Sequence, residues 1–426
     1  MRSTLVVWLA LVCTVTACTD DANQDNANAP AAGEAGLPGV QTTKVLFVER
    51  ANELGLVFQH YSGAAGRYHM PEILGSGVAL LDFDNDGDLD VFLVQGTDPD
   101  PKAGKDDLAA EPDRRHEGQH IPLWPLPAGQ RPGNRMFANR LAETGRLKFE
   151  DVTDRIGMRD TLYGMGVAVS DYDNDGDPDV YVAAYGANAL YQNNQGAFKK
   201  IDDAAGSQDT RWSSSASFCD INKDKWPDLY IANYIFYQPG QKVVCRDTLG
   251  QEDYCSPRSY TAAPDSVFVN RGDGTFTDAG ATWGVTGPAG AGLGVLCRDL
   301  NQDGFEDVYV ANDSMPNNLW INDRGERLLD NAEILGAALN INGLPEGSMG
   351  VTAGDFDFDG DDDVFLTHWN NETNTLYRND LHSGFLDITT TVNLASASFA
   401  HTGFGSDWLD FDNDGDLDLF VANGAV

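Results

Sequence analysis

Positive charge is what this sequence has least of: 28 Lys and Arg stand against 66 Asp and Glu in 426 residues, a formal net charge of -38. That imbalance repels phosphate backbones and anionic membrane surfaces, and it excludes nucleic acid as a partner. Cysteine is scarce as well, with 6 in the whole chain. Past the N-terminus no stretch approaches the roughly 20 apolar residues that a membrane-spanning helix needs. Catalytic constellations are also wanting. No Ser, His and Asp set has local support, and Gly290, Gly292 and Gly294 lack the spacing of a nucleotide-binding loop. His116-Glu117-Gly118-Gln119-His120 matches a zinc-protease pattern, but Gly118 weakens a helix and Pro122 ends it, so a solvated loop is the expectation. Arg271-Gly272-Asp273 sits in a hairpin connection whose turn already demands Gly and Asp. His60, Tyr61, His69 and Met70 precede the first strand, and His368, Trp369 and His401 flank others. Loop histidines of this kind are expected to be hydrogen-bonded groups rather than ligands.

What is present begins with an export signal. In residues 1–17, Arg2 precedes a short apolar run from Leu5 to Val12, which is removed rather than folded. Val15-Thr16-Ala17-Cys18 resembles the lipobox of bacterial lipoproteins, so Cys18 is expected to carry lipid. Residues 18–43, rich in Asp, Asn, Ala, Gly and Pro, form a disordered tether. The expectation is an exported, cell-surface or outer-membrane lipoprotein that meets the membrane only through its anchor. Of the remaining cysteines, Cys245 and Cys255 share one irregular insertion and are expected to pair. Cys219 and Cys297 occupy similar places in neighbouring repeats and either pair or stay buried and free.

One block recurs six times: an apolar run, a nine-residue aspartate loop, a second apolar run, then segments like Asn-x-Leu-Tyr-x-Asn and Phe-x-Asp-Val-Thr. The loops begin at Asp82, Asp171, Asp220, Asp299, Asp355 and Asp410, spaced 89, 49, 79, 56 and 55 residues apart, so the unit is about 50 residues. Residues 163–170, 180–184, 188–193 and 197–202 read as four short strands, the meander of a propeller blade. Such sheets bury both faces only by stacking radially, and Gly164, Gly166, Gly292 and Gly294 suit the crowded innermost strand. The fold class is therefore all-β, a β-propeller over residues 44–426. Insertions at 96–133 and 234–264 follow the second apolar run of their units. They mark one face as the candidate binding face. Residues 45–58 read as a last strand that closes the ring by joining the final blade. The strand at 417–422 leaves the sixth unit without its last two strands, and a truncated sequence is expected.

In the first loop, Asp82, Asp84, Asp86, Asp88 and Asp90 occupy the odd positions, with Gly87 sixth. Hard cations need several converging carboxylates on a tight turn, and glycine supplies the left-handed backbone there. An EF-hand would continue to Glu at its twelfth position between helices; here that position is Leu93 between strands. The pattern repeats at Asp171, Asp173, Asp175, Asp177 and Asp179, at Asp355, Asp357, Asp359, Asp361 and Asp363, and at Asp410, Asp412, Asp414, Asp416 and Asp418. Asp299, Asn301, Asp303 and Asp307 form a fifth loop with one neutral ligand. Asp220, Asn222, Asp224 and Asp228 form the weakest, with Lys225 in the glycine position. These windows hold 28 of the 66 acidic residues in 54 positions, where even spreading gives about 8. Up to six Ca2+ ions are expected, as folding ligands.

The phrases PEILGSGVALLDFDNDGDLDVFLV, YGMGVAVSDYDNDGDPDVYVAAYG, DVYVANDSMPNNLW, ETNTLYRND and DWLDFDNDGDLDLFVANG resemble FG-GAP or VCBS repeat proteins. Within these, the chain is similar to the cartilage acidic protein and ASPIC/UnbV group, whose propeller is like that of integrin α subunits. The resemblance implies seven blades, a further ASPIC/UnbV domain, and a calcium role for the loop residues named above. The functional expectation is a calcium-binding adhesion scaffold, not an enzyme, presenting its insertions to an extracellular protein or glycan. The alternative is a carbohydrate lyase or hydrolase on the same scaffold.

Overall fold

The computed structural model describes residues 47–64, 67–100 and 132–424, with the backbone of 115–116 and 119–120. The expected export signal, Cys18 and the tether lie outside the described residues, as does most of the first insertion. Five four-stranded antiparallel meanders follow one another, and a two-stranded sheet, Thr402–Leu409 with Asp418–Gly424, comes sixth. The second sheet is representative: Gly164–Ser170, Asp179–Ala184, Ala189–Asn194 and Ala197–Ile201, within a residue or so of the strands read from the sequence.

Alternation along the second strands explains the stacking. Val180 and Val182 face the first sheet with Leu81, Phe83 and Phe92, while Tyr181 and Ala183 face the third with Leu229, Ile231 and Phe268. Each strand thus supplies apolar side chains to two joints, and similar clusters fill the joints between third and fourth and between fourth and fifth sheets. All six residues of Asp179–Ala184 are buried. The first strands run innermost, one against the next. A Cβ on Gly166 would stand 2.6 Å from the Ser214 carbonyl, and one on Gly294 would stand 2.5 Å from that of Met349. Only a residue without a side chain permits that approach.

Residues 47–58 depart from expectation. No strand forms in the described part; a one-turn helix, Ala51–Leu54, ends on left-handed Gly55, as Ala332–Leu335 ends on Gly336 after the fourth strand Leu328–Asp330. The closing contact is made by Phe47, whose ring centroid lies 5.8 Å from Phe411 and 5.9 Å from Phe420 of the sixth sheet. Phe47 stands to Phe411 as Phe198 stands to Phe83, 6.1 Å apart, and Phe276 to Tyr172, 5.6 Å apart. In both of those pairs the first-named ring, Phe198 or Phe276, belongs to the fourth strand of the next sheet, so Phe47 does not join the sixth sheet itself.

The first-to-second turns lie at one end of every meander and the second-to-third connections at the other. Both insertions are of the latter kind, following Asp90–Leu93 and Asp228–Asn233. The one at 234–264 is not a free loop. Cys245 and Cys255 are bonded, with Cα atoms 5.3 Å apart. Tyr237 meets the His69 Nδ1 at 2.6 Å, Tyr254 donates to Glu72 at 3.0 Å, and Arg258 donates to the Ser314 carbonyl. Trp212, Tyr163, Tyr234 and Tyr237 gather beneath it in an apolar cluster with Met70.

Gly166→Ala is expected to destabilise the chain by about 1 to 3 kcal/mol through overpacking. Gly75→Ala, with open space around the site, should stay within about 0.5 kcal/mol. Urea unfolding midpoints check the pair.

Candidate metal centre

Each aspartate loop is folded by its own first carboxylate. Asp171 accepts the backbone N–H groups of Asp175 and Gly176, both at 2.9 Å, and Asp82, Asp220, Asp299, Asp355 and Asp410 do the same between 2.8 and 3.1 Å. The fourth residue is left-handed in all six: Asn85, Asn174, Lys223, Gln302, Phe358 and Asn413. The sixth is left-handed too, with glycine everywhere except Lys225 at φ 74°.

The ninth carboxylate ties the loop to the sheet. Asp179 accepts from the Tyr172 N–H at 3.0 Å and from the Asn193 N–H at 2.7 Å. Asp90, Asp307 and Asp363 repeat both bonds. The asparagine then staples neighbours together: Asn193 Nδ2 donates to the Pro178 carbonyl of its own loop and, at 2.8 Å, to the Phe83 carbonyl of the previous one. Asn270, Asn322 and Asn379 reach back to Tyr172, Ile221 and Leu300 at the same 2.8 Å. These asparagines end the recurring Asn-x-Leu-Tyr-x-Asn segment. The first asparagine has its own task, for Asn188 and Asn317 accept from the N–H groups of Ala184 and Asn312 at 2.8 Å. The sequence displayed the pair as a repeat; their roles are tertiary and only the structure reveals them.

Charge is unbalanced at these loops. Burial pushes the ninth carboxylates up, to about 8 at Asp90 and Asp179 and about 7 at Asp228, Asp307 and Asp363, with neighbouring loop carboxylates adding to the effect. Asp361 is pushed to about 6, by burial first and then by Asp359. Carboxylate oxygens converge within 4.8 Å in the sets Asp82, Asp84, Asp86; Asp171, Asp173, Asp179; Asp355, Asp357, Asp359; and Asp410, Asp412, Asp418. Glu143, which the sequence did not single out, forms a further set with Asp86 and Asp88. Buried oxygens of Asp88, Asp173 and Asp361 have no hydrogen-bond donor. Hard cations fit such oxygens, and the first, second, fifth and sixth loops offer them most fully. The third and fourth carry Asn222 and Asn301 at the third position, with Trp226 and Phe305 at the seventh.

Arg115–His116 pairs with Gln119–His120 as an antiparallel hairpin, so no helical turn aligns the two histidines. In the Arg271-Gly272-Asp273 turn, Arg271 donates its N–H to Thr275, and Gly272 lies against the Trp226 indole. His60 bonds Ser76. His368 is 1% exposed, holds Ser348 on Nε2 at 3.1 Å and the Thr373 carbonyl on Nδ1 at 2.7 Å. Ser348 is itself fully buried, which keeps this pair from substrate.

The FG-GAP-like repeat model matches residues 134–231, 250–310, 299–366 and 359–421, well over half of the chain. Cartilage acidic protein 1 of Homo sapiens is 30% identical over 165 residues, 38% of this chain and 24% of that protein. Its Xenopus tropicalis counterpart is 31% identical over 168 residues, again 38% of this chain and 25% of the relative. The match thus spans about a quarter of these curated relatives. Among solved structures, the rhamnogalacturonan lyase YesW gives a TM-score of 0.38 at 13% identity, over 82% of this chain and 55% of that one. An Agrocybe aegerita lectin that recognises non-reducing terminal N-acetylglucosamine gives 0.35 at 14%, over 68% of each. Scores this low carry no argument about activity.

Two outcomes follow from the site. Lys225 is an L-residue held left-handed, which costs about 1 kcal/mol, so Lys225→Gly should stabilise the chain by that order in urea unfolding with EDTA. Burial lowers the His368 pKa from 6.5 to about 4. The unfolded chain binds that proton first, so stability present above pH 6.5 is lost as pH falls toward 4, by up to about 3 kcal/mol. His368→Asn, the residue type at Asn233 and Asn312, should flatten that part of the stability profile relative to the parent chain.

Proposed function

This chain belongs to the FG-GAP-like repeat family, and from that membership and the loop geometry we propose a calcium-braced propeller that works as an extracellular binding scaffold. The observation that carries the reading is the ninth aspartate. It is buried in five of the loops, tied to its own strand, and surrounded by carboxylates that have too few donors. A divalent cation would be held by the first, third, fifth and ninth carboxylates of each full loop, and would supply charge where burial otherwise favours a proton. Magnesium fits less well, because it keeps its waters and demands near-octahedral geometry.

Binding rather than catalysis is the proposed mode. Three titratable groups away from the loops make structural bonds: His69 with Tyr237, Glu72 with Tyr254, and His368 with Ser348. The face opposite the loops, where the 234–264 insertion is fixed by a disulfide and by aromatic packing, is the proposed surface for an extracellular protein or glycan. Export and a lipid anchor at Cys18 complete the reading, placing the propeller at the cell surface on a tether.

Thermal unfolding across roughly 0.01 to 10 mM calcium, the span of extracellular modules, tests it. A rise in midpoint of several degrees over EDTA, with little response to magnesium, is expected. A midpoint indifferent to calcium would sink the proposal.

A further inference from the structure

We infer that the third loop holds no cation, and that its place at the joint of the third and fourth sheets is taken by the Cys219–Cys297 disulfide and the loop's own lysines. This rests on the calcium reading of the fuller loops and deepens it.

Charge is the first ground. Within residues 220–228, Asp220, Asp224 and Asp228 face Lys223 and Lys225, three negative charges against two positive. The loops beginning at Asp82, Asp171 and Asp410 each carry five carboxylates and no basic residue. A dication owes its attraction to converging carboxylates, and here most of that attraction is already cancelled.

The ligands differ in kind as well. Asn222 replaces the third carboxylate and Trp226 the seventh. In the second loop the seventh residue, Asp177, accepts from the Gln195 N–H at 2.7 Å. In the third the Trp226 ring instead packs on Gly272, 2.9 Å from where a Cβ would stand. One oxygen, Asp228 Oδ2, lacks a donor, and the experiment below bears directly on it.

What the loop does contact is its neighbour. Lys223 Nζ lies 4.5 Å from the Phe305 ring centroid of the fourth loop, and the Asp220 N–H donates to Glu306 at 2.7 Å. Directly beneath, Cys219 immediately precedes Asp220 and is bonded to Cys297, with Cα atoms 6.1 Å apart. At the first joint the same two places are Leu81 and Val169, in one apolar cluster. At the fifth they are Gly354 and Trp408, where a Cβ on the glycine would come 2.9 Å from the indole. Among the described residues, a covalent bond replaces this packing only at the joint whose loop lacks glycine and carries lysine.

Equilibrium dialysis against calcium, on the full chain, counts the ions. Asp171→Asn/Asp175→Asn should bind one calcium fewer than the parent, Asp220→Asn/Asp224→Asn the same number, and Lys223→Asn/Lys225→Gly one more. Loss of an ion from the Asp220→Asn/Asp224→Asn variant would overturn the inference. Absence of bound calcium from the parent would overturn the calcium reading instead, and this contrast with it. Should the aspartate variants fail to fold, Cys219→Ser/Cys297→Ser decides independently. Its midpoint should fall as far in saturating calcium as in EDTA, because no cation backs up this joint, and full compensation by calcium would refute the assignment.

Discussion

The ninth carboxylate of each loop is the group on which the rest of the structure depends. In the second, fourth and fifth loops it closes the loop through the N–H of the second residue, fixes the third strand through an asparagine N–H, and so places that asparagine where its side chain can hold the preceding sheet. A buried carboxylate is expensive unless its charge is matched. Two backbone donors offset part of that cost, and burial still raises the pKa well above the ordinary range. Loop, sheet and joint are thus coupled to whatever supplies positive charge at one point.

That coupling gives the net charge of -38 a structural meaning. The acidic residues are not evenly spread: 28 of the 66 are gathered in the loops at one end of the meanders, where neighbouring loops touch. Asn85 donates to Asp177 and Asn174 to the Lys225 carbonyl. Self-repulsion there acts against the very contacts that join the sheets. Divalent ions would relieve it loop by loop; in the third loop, where the carboxylates thin out, Lys223 and Lys225 lower the negative charge and the Cys219–Cys297 bond holds the joint covalently.

Local spacing made the loops and strands legible. The odd-numbered aspartates, the glycine between them and the short apolar runs each act within nine residues or so, and the structure places them as read. What escaped reading acts between units. Asn193 and Asn322 look like turn residues until the preceding loop is beside them. The bond between Cys219 and Cys297 depends on two first strands being neighbours, across 78 residues of sequence, whereas Cys245 and Cys255 share one insertion and were assigned correctly. Residues 47–58 carry the apolar pattern of a strand, but the turn Ala-Asn-Glu-Leu-Gly is the same unit ending that follows Asp330, and the strand reading ran past it. The insertion at 234–264 reads from sequence only as irregular and turn-rich; that Tyr234 and Tyr237 anchor it on Trp212 and Met70 depends on residues far away in the chain.

The two ends of the meanders consequently carry different constraints. At the loop end every residue answers to a neighbour, since one carboxylate fixes a turn, a strand and a joint together, and a change there propagates to the adjacent sheet. At the other end the connections between second and third strands can lengthen without disturbing the ladders: the insertion after Asp228–Asn233, although held to neighbouring units through Tyr237, Tyr254 and Arg258, leaves the pairing of that strand with Ser266–Asn270 intact. Once ordered by a disulfide and an aromatic base, such an insertion is a rigid surface rather than a floppy one, and less entropy is lost when it meets a partner. Rigidity at the charged end is what makes variation at the other end tolerable, and that division is the physical reason to look for recognition on the face opposite the aspartate loops.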